Sequence, residues 1–405
     1  MAAPAVLYIA TLTVFLFRPP ALEFHFVDRI ALGLLVLVVG LRGLVLHQSL
    51  PQSGLTWPMA GLAVLAIAGM VHHSSEMSTW SVLAAKFFVP FTMFQIAGLV
   101  FRDARSLRWL ERFFLIVLAY LSFVSVAHLV GAYELVLPPF ILDESMGIHA
   151  DRARGPFLQA VANGVTINML ALIAIECYRK KSLRGVAAFA LLASLPLAIV
   201  AVKTRGVWLS FAVSVLWLFS KIGEKRLRHA ALGFGVVATL AILAAIEFGD
   251  GGRALQDRLQ ESGAVEFRMA AYRAGWEMFL ERPLLGWGTQ DLQIELARRI
   301  RGFQGGSFAV HNTYLDVLLE QGAVGLGLYL WLIVALFRLG RNGTQNSDPV
   351  VSSIRNVWPL LLAVYFVNAT FVVMNYQFVN GLLFTGAGIL AVHCSTTGPR
   401  LSRLR

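Results

Sequence analysis

The chain has 405 residues, of which 57% are hydrophobic and 14% are charged, and its formal net charge is +11. Its mean hydropathy of +0.69 is higher than the surface of a soluble domain tolerates, so the composition excludes an ordinary water-soluble protein. The positive charge does not require a nucleic-acid partner, because short cytoplasmic loops of membrane proteins also carry a Lys/Arg excess.

Successive charge-poor runs approach the roughly 20 residues that a helix needs to cross the hydrocarbon core of a bilayer. We therefore predict an all-α polytopic membrane protein with about twelve transmembrane helices. The predicted spans are 2–17, 29–46, 55–72, 80–101, 109–131, 157–177, 185–202, 205–220, 229–247, 315–337, 357–374 and 376–393. The first span has no basic residue before it and no small-residue cleavage site, which favours a retained helix over a removed signal peptide.

Basic residues predict the orientation of these spans. Clusters at 102–112, 179–184, 221–228 and 338–355, and a last one from Arg400, all fall on one side of a twelve-span arrangement. Because that excess marks the cytoplasmic side, we expect both termini to be cytoplasmic.

The spans divide the chain into three parts. Helices one to nine occupy 1–247, a long external segment occupies 248–313, and helices ten to twelve with a cytoplasmic tail occupy 314–405. A long external loop with structure of its own often carries function.

The external segment before the tenth helix has a helical pattern. Apolar residues recur at helical spacing over 266–279, which predicts an amphipathic helix. These residues are Phe267, Ala270, Ala271, Ala274 and Met278. A second short helix is predicted over 292–300. Residues 311–325 are predicted to form one continuous helix into the tenth span, with His311, Gly322 and Gly325 on a shared face.

His311 is the best candidate for acid–base chemistry, although a lone histidine more often caps a helix or binds a loop. Basic residues on the same external side of the membrane favour a catalytic role for His311. Lys203 and Arg205 lie in a short external connection, where the positive-inside tendency does not explain them. An anionic ligand would explain them.

Three external arginines and one intramembrane lysine complete the candidates. Arg154, Arg268 and Arg273 suit phosphate oxygens, because a guanidinium group forms bidentate, charge-assisted hydrogen bonds. Each of them alone is equally explained by a side chain that reaches lipid headgroups or by a surface ion pair. Lys86 lies inside the fourth predicted span, where a charge is costly unless it faces a polar cavity or reaches the interface.

The sequence resembles the bacterial superfamily of O-antigen ligases and polymerases. The motifs that carry the resemblance are Arg154-Gly155-Pro156-Phe157, Thr204-Arg205-Gly206, Arg268-x-x-x-Tyr272, Glu281-Arg282-Pro283-Leu284-Leu285-Gly286-Trp287-Gly288, His311-Asn312-x-x-Leu315 and Glu320-x-Gly322-x-x-Gly325. The blocks that begin at Glu281 and His311 are the most specific. The chain departs from relatives that have Asn-Pro-Asn after the first block, since only Asn163 stands in that region.

The resemblance implies transfer of a glycan from an undecaprenyl-pyrophosphate carrier to an acceptor hydroxyl. The reaction would occur on the periplasmic face of the bacterial inner membrane, without a cofactor, a nucleotide or a metal. For an O-antigen ligase the acceptor is the lipid A-core. His311 would act as the base that deprotonates the acceptor or positions it. The predicted pyrophosphate ligands are Arg205, Arg268, Lys203, Arg154, Arg273 and Lys86.

Other functions fit the same sequence less closely. An O-antigen polymerase and a protein O-oligosaccharyltransferase share these motifs, and the single dominant external segment favours the ligase over both. A secondary transporter or flippase would place ionisable residues near the bilayer midplane on broken helices, whereas the candidates here are predicted to cluster at one face.

Overall fold

A computed structural model describes residues 3–17, 26–48, 50, 53–70, 77–147, 149–220, 263–289, 292–300, 303, 305–341 and 348–394. Across these ranges the structure is helical and contains no strand. The first nine α-helices are α1 (Ala3–Leu16), α2 (Val27–Val45), α3 (Thr56–Met70), α4 (Met77–Leu83), α5 (Val89–Val100), α6 (Ala104–Leu129), α7 (Ala160–Arg179), α8 (Gly185–Ala201) and α9 (Arg205–Ser220). A π-helical segment, Ala84–Phe88, joins α4 to α5.

The second part of the chain contributes five more α-helices. They are α10 (Gly263–Glu281), α11 (Leu292–Arg299), α12 (Thr313–Arg338), α13 (Pro349–Asn368) and α14 (Gln377–His393). The predicted span 229–247 lies outside the described residues. The count of twelve transmembrane helices therefore stays a prediction.

Five helical stretches are long and apolar enough to cross a membrane. They are Trp80–Val100, Ala104–Leu129, Ala160–Arg179, Thr313–Arg338 and Pro349–Asn368, and five shorter apolar helices accompany them. Because a helix satisfies its own backbone hydrogen bonds, such a bundle suits a multi-pass membrane protein.

The burial pattern fits a bundle surrounded by lipid. On α2, Leu37, Leu41 and Leu44 are exposed, and Leu209 and Leu216 are exposed on α9. Large apolar side chains exposed along the outer faces of successive helices are typical of lipid contact and would be unfavourable in water.

Helix α7 lies at the centre of this bundle and is almost wholly buried. Its polar side chains are paired, since the Asn168 amide donates to the Ser210 hydroxyl at 3.3 Å and the Ser214 hydroxyl donates to Asn168 at 3.2 Å. Side-chain hydrogen bonds of this kind join helices where water is absent.

A smaller apolar core lies beside the start of α12. Ala271, Ala274 and Met278 of α10 pack with Leu296 of α11 and Leu319 of α12. The predicted amphipathic face of α10 is therefore confirmed, and α11 confirms the second predicted helix. This core attaches the segment before α12 to the membrane bundle.

The prediction of one continuous helix over 311–325 is wrong. His311 has a left-handed φ of 50° and lies before the helix, and α12 begins at Thr313 with Asn312 as its N-cap. Gly322, with φ 66° and ψ −165°, interrupts α12. His311, Gly322 and Gly325 therefore do not share one helical face.

Candidate functional site

Most of the predicted site residues lie at one end of the bundle. Three backbone or side-chain contacts define this end, which includes the start of α12. The Ala153 N–H donates to the Ala201 carbonyl at 3.0 Å, the Lys203 ammonium donates to the Asp151 carbonyl at 2.9 Å, and the Thr313 N–H donates to the Ala369 carbonyl at 2.8 Å. The first two contacts join the loop before α7 to the end of α8 and the α8–α9 connection, and the third joins the start of α12 to the end of α13.

His311 is fixed just before the first turn of α12. The side-chain oxygen of the neighbouring Asn312 accepts hydrogen bonds from the N–H groups of Tyr314 and Leu315, at 3.0 and 3.1 Å. This is the N-cap arrangement that fixes where a helix begins. The imidazole is half-buried and meets the Phe308 ring edge-on, with ring centroids 5.5 Å apart.

The surroundings of His311 favour its neutral form. Burial lowers the pKa of the imidazole below its ordinary value, and the positive charge of Arg268 lowers the same pKa further. A neutral imidazole retains a free nitrogen lone pair and can accept a proton. Arg268 is thus close enough to His311 to influence its charge.

Two more predicted basic residues are exposed at this end. Arg273 lies on α10, five residues after Arg268, and Arg205 is the first residue of α9. Next to Arg205, the backbone of Gly206 packs against the Phe371 ring so closely that an added Cβ would lie 3.0 Å from it. The segment around Phe371 also binds Thr313, whose hydroxyl donates to the Val372 carbonyl at 2.7 Å. One segment therefore joins the starts of α9 and α12.

The geometry favours a different role for Arg154 from the predicted one. Its side chain is 1% exposed, and its guanidinium donates to the backbone carbonyls of Ile141, Asp143 and Met146. A buried guanidinium satisfied by three carbonyls holds the loop before α7 and leaves little capacity for a lipid pyrophosphate.

Lys86 is likewise committed to other partners. Its ammonium lies 2.5 Å from a carboxylate oxygen of Asp316 and 2.6 Å from one of Glu320, and all three side chains are at least 92% buried. The sequence motifs give no catalytic role to Asp316 or Glu320. Their partner is on another helix, which a single helical wheel does not reveal.

The sequence block that begins at Glu281 meets the block that begins at Glu320 at the interruption of α12. The N–H groups of Trp287 and Gly288 donate to the carbonyls of Leu319 and Glu320, at 2.8 and 3.0 Å. In return, Ala323 and Val324 donate to the carbonyls of Pro283 and Leu284, at 2.8 and 3.3 Å. We call this set of four hydrogen bonds the backbone bridge.

The backbone bridge satisfies the backbone groups that the interruption of α12 leaves without helical partners. An interrupted helix exposes backbone groups that lipid cannot satisfy, and each such group costs several kcal/mol. The loop 283–288 supplies the missing partners. Glycines are needed where the two backbone segments touch. A Cβ on Gly286 would collide with the backbone of Leu319 and Glu320, and a Cβ on Gly322 would collide with the Leu284 carbonyl.

A small cavity lies inside the bundle along α12. Lys86, Thr313 and Asp316 line its polar part, and Tyr329 and Phe366 are among its aromatic lining. Thr313 is two residues from His311, so the cavity lies beside the candidate site. In the part of the chain that the structure describes, no cluster of three His, Cys, Asp or Glu side chains is arranged to hold a metal ion.

Residues 186–330 match the family model for O-antigen ligase. The family resemblance is confirmed. The O-antigen ligase match includes both segments of the backbone bridge, 283–288 and 319–324, together with Lys203, Arg205, Arg268, Arg273 and His311. Lys86 and Arg154, the two predicted ligands that are buried and paired, lie outside it.

A curated relative supports the same superfamily. The chain is 26% identical over 215 residues to the exopolysaccharide production protein ExoQ of Rhizobium meliloti, and the match covers 51% of this chain. It covers 48% of the relative, so about half of that protein is represented. The two similarities are to the same superfamily that the sequence motifs resemble.

Proposed function

We propose that this protein is an O-antigen ligase of the bacterial inner membrane. It would transfer a glycan from an undecaprenyl-pyrophosphate carrier to a sugar hydroxyl of the lipid A-core, on the periplasmic face. The observation that carries the proposal is His311, whose pKa is lowered by burial and by the charge of Arg268, at the end of the bundle where Arg205 is exposed. All three residues lie within the O-antigen ligase match.

The proposed reaction is a direct displacement at the anomeric carbon of the donor sugar. The acceptor oxygen forms the new bond while the bond from that carbon to the pyrophosphate oxygen breaks. His311 takes the hydroxyl proton, and the polyprenyl pyrophosphate leaves with the bonding electrons. A neutral imidazole suits this role because a general base must begin the step unprotonated.

The leaving group is the main electrostatic demand of this reaction. Arg205, Arg268 and Lys203 would hold the pyrophosphate, with Arg273 contributing from the exposed face of α10. Fixed guanidinium and ammonium groups neutralise charge that develops on the departing oxygen, without a metal, a nucleotide or another cofactor. Membrane lipids would surround the entering carrier.

The first test replaces His311 with asparagine. Asparagine tolerates the left-handed backbone of this position better than most residues, so the substitution removes the base with little backbone strain. Purified His311→Asn protein should transfer glycan roughly 10²–10⁴-fold more slowly, the usual contribution of a general base, while donor affinity stays within a few-fold. Transfer at the unchanged rate would contradict the assignment.

His47 provides a matched control for this test. It also has a left-handed backbone, with φ 48°, and it is exposed in the connection after α2. The His47→Asn protein should transfer glycan at the wild-type rate. An equal loss in both proteins would indicate a general effect of the substitution rather than a catalytic one.

A polymerase is the second candidate, and the similarity to an exopolysaccharide production protein favours it. Deleting the gene separates the two. Loss of all long-chain glycan from lipid A, with carrier-linked polymer still present, indicates a ligase. Lipid A capped with a single repeat, or loss of a secreted polysaccharide, indicates a polymerase. Glycan lost from proteins instead would indicate a protein O-oligosaccharyltransferase.

A transporter or flippase is the third candidate. The interrupted α12 and the buried charges of Lys86, Asp316 and Glu320 are features that transporters share. Proteoliposomes that contain the purified protein and a lipid-linked glycan test this reading. Movement of the lipid across the bilayer without a covalent product would contradict the transferase.

A further inference from the structure

Three ionisable side chains meet inside the bundle and form ion pairs with one another. Lys86 contacts Asp316 at 2.5 Å and Glu320 at 2.6 Å. Asp316 and Glu320 are one helical turn apart on α12, so their like charges repel each other. The ammonium between them removes that repulsion, and losing it would leave two buried carboxylates without compensation.

Two other helices fix the backbone segment that carries Lys86. Lys86 belongs to the π-helical segment Ala84–Phe88, a geometry that occurs mostly as single turns and often at functional sites. The Asn380 amide of α14 donates to the Ala85 carbonyl at 2.9 Å, and the Tyr365 hydroxyl of α13 donates to Asn380 at 2.6 Å. Two other helices therefore fix the segment from which Lys86 extends.

The first half of α12, Thr313–Gln321, depends on such contacts. The interruption at Gly322 separates it from the helical hydrogen bonds of the second half. One side of it, at Thr313 and Asp316, faces the cavity instead of packed side chains. On this side of the half-helix, polar contacts must therefore supply much of what packing supplies on the side of Leu319.

We propose that Lys86 is a positioning residue: its ion pairs with Asp316 and Glu320 set the orientation of the first half of α12, and with it the position of His311. His311 lies five residues before Asp316 and is joined to the same half-helix through the Asn312 cap. In this role Lys86 does not touch the pyrophosphate. The catalytic part of the inference rests on the proposed function.

The test compares three proteins: Lys86→Met, Lys86→Arg, and the triple variant Lys86→Met, Asp316→Asn, Glu320→Gln. Methionine removes the charge and keeps an unbranched stem, and arginine keeps the charge. The triple variant removes the positive charge together with both negative ones. A positioning role predicts at least a tenfold loss of kcat in Lys86→Met, a donor KM within threefold of wild type, and partial recovery in the other two proteins.

A direct pyrophosphate ligand would behave differently. The donor KM would then rise in Lys86→Met, and the triple variant would not recover, because it also lacks the cation. Either that result or wild-type kinetics in Lys86→Met would overturn the proposal. The acid limb of the pH–rate profile should stay in place, since His311 remains the base.

Hydrogen–deuterium exchange separates this inference from the proposed reaction, because it needs no substrate. In Lys86→Met, amides of residues 313–321 should exchange at least tenfold faster, while those of 325–338 stay unchanged, and the triple variant should restore protection. That pattern in a protein that transfers no glycan would refute the transferase and keep the positioning role. Unchanged protection of 313–321 would refute the positioning role even in an active enzyme.

Discussion

The two halves of α12 differ in almost every physical respect, although they are continuous in the chain. Before Gly322, the helix carries buried Asp316 and Glu320 and accepts hydrogen bonds from the loop 283–288. After Gly322, it exposes Leu330, Trp331 and Val334 along a face suited to lipid. The second half resembles a membrane anchor, and the first half is fixed by specific contacts beside the candidate site.

This difference shows why the helix is interrupted. A continuous helix would continue the direction of the second half, so packing against lipid would also set the direction of the first. The interruption lets the backbone bridge and the contacts of Thr313 and Asp316 set that direction instead. Interrupted helices are tolerated in membranes only where protein covers the freed backbone groups, and here a loop from the same chain covers them.

The strongest test of the comparison replaces Gly322 with alanine. The φ and ψ of Gly322 are nearly restricted to glycine, at a cost of about 1–3 kcal/mol for another residue, and the new Cβ would collide with the Leu284 carbonyl. We expect Gly322→Ala to lose both activity and monodisperse protein, measured by transfer assay and size-exclusion chromatography.

Gly327 is the matched control, because it lies in the second half of the same helix with open space around it. Gly327→Ala should fold normally, since alanine favours a helix more than glycine does. If Gly322→Ala is as active and stable as Gly327→Ala, the interruption has no structural importance.

A second comparison uses one leucine from each half. Leu319 is fully buried against α10 and α11, so Leu319→Ala should lower the free energy of unfolding by about 2–5 kcal/mol. Leu330 is 47% exposed, and Leu330→Ala should change stability much less. Thermal unfolding in the same detergent measures both. Equal losses would mean that the second half is also packed against protein.

The smallest expected effect concerns the pH dependence near His311. Arg268 lowers the pKa of His311, and the proposed reaction requires a neutral imidazole, so activity should fall on acidification through this pKa. Removing the charge in Arg268→Gln should raise the pKa and move the acid limb of the pH–rate profile to higher pH. It should also weaken donor binding by roughly tenfold, about the 1.4 kcal/mol of one charged hydrogen bond.

Arg273→Gln is the control for the pH measurement, because Arg273 is exposed on the same helix and does not contribute to the pKa shift of His311. Its acid limb should coincide with that of the wild type. An identical displacement in both variants would show that the net charge of α10, rather than Arg268, sets the limb.

Much of the fold was predictable from the sequence because apolar runs near 20 residues have few alternatives to a helix. The spans predicted at 205–220 and 376–393 agree with α9 and α14 to within a residue. The amphipathic face of α10 was predictable for the same reason, since helical periodicity is a local signal. His311 and Arg268 were candidates from residue type and topology before the resemblance added its motifs, and Arg268 lowers the pKa of His311.

What could not be predicted depends on contacts between distant segments. The interruption of α12 requires hydrogen bonds from a loop about 35 residues earlier, and Gly322 alone gives no sign of it. The partners of Lys86 could have been suspected, because buried charges in membrane spans usually pair with one another. Asp316 and Glu320 were the carboxylates available at the same depth, but a single helical wheel shows only one helix.

The backbone bridge divides its surroundings into a part that tolerates no change in length and a part that does. One residue inserted within 283–288 or 319–324 would put the bridging hydrogen bonds out of register with one another. The stretch from Thr289 to Val310 lies in the chain between the backbone bridge and the start of α12, and it could be exchanged as a unit. It includes α11 and forms part of the rim around His311. A chimaera that carries this stretch from a relative would therefore keep the interrupted helix and acquire different residues beside His311.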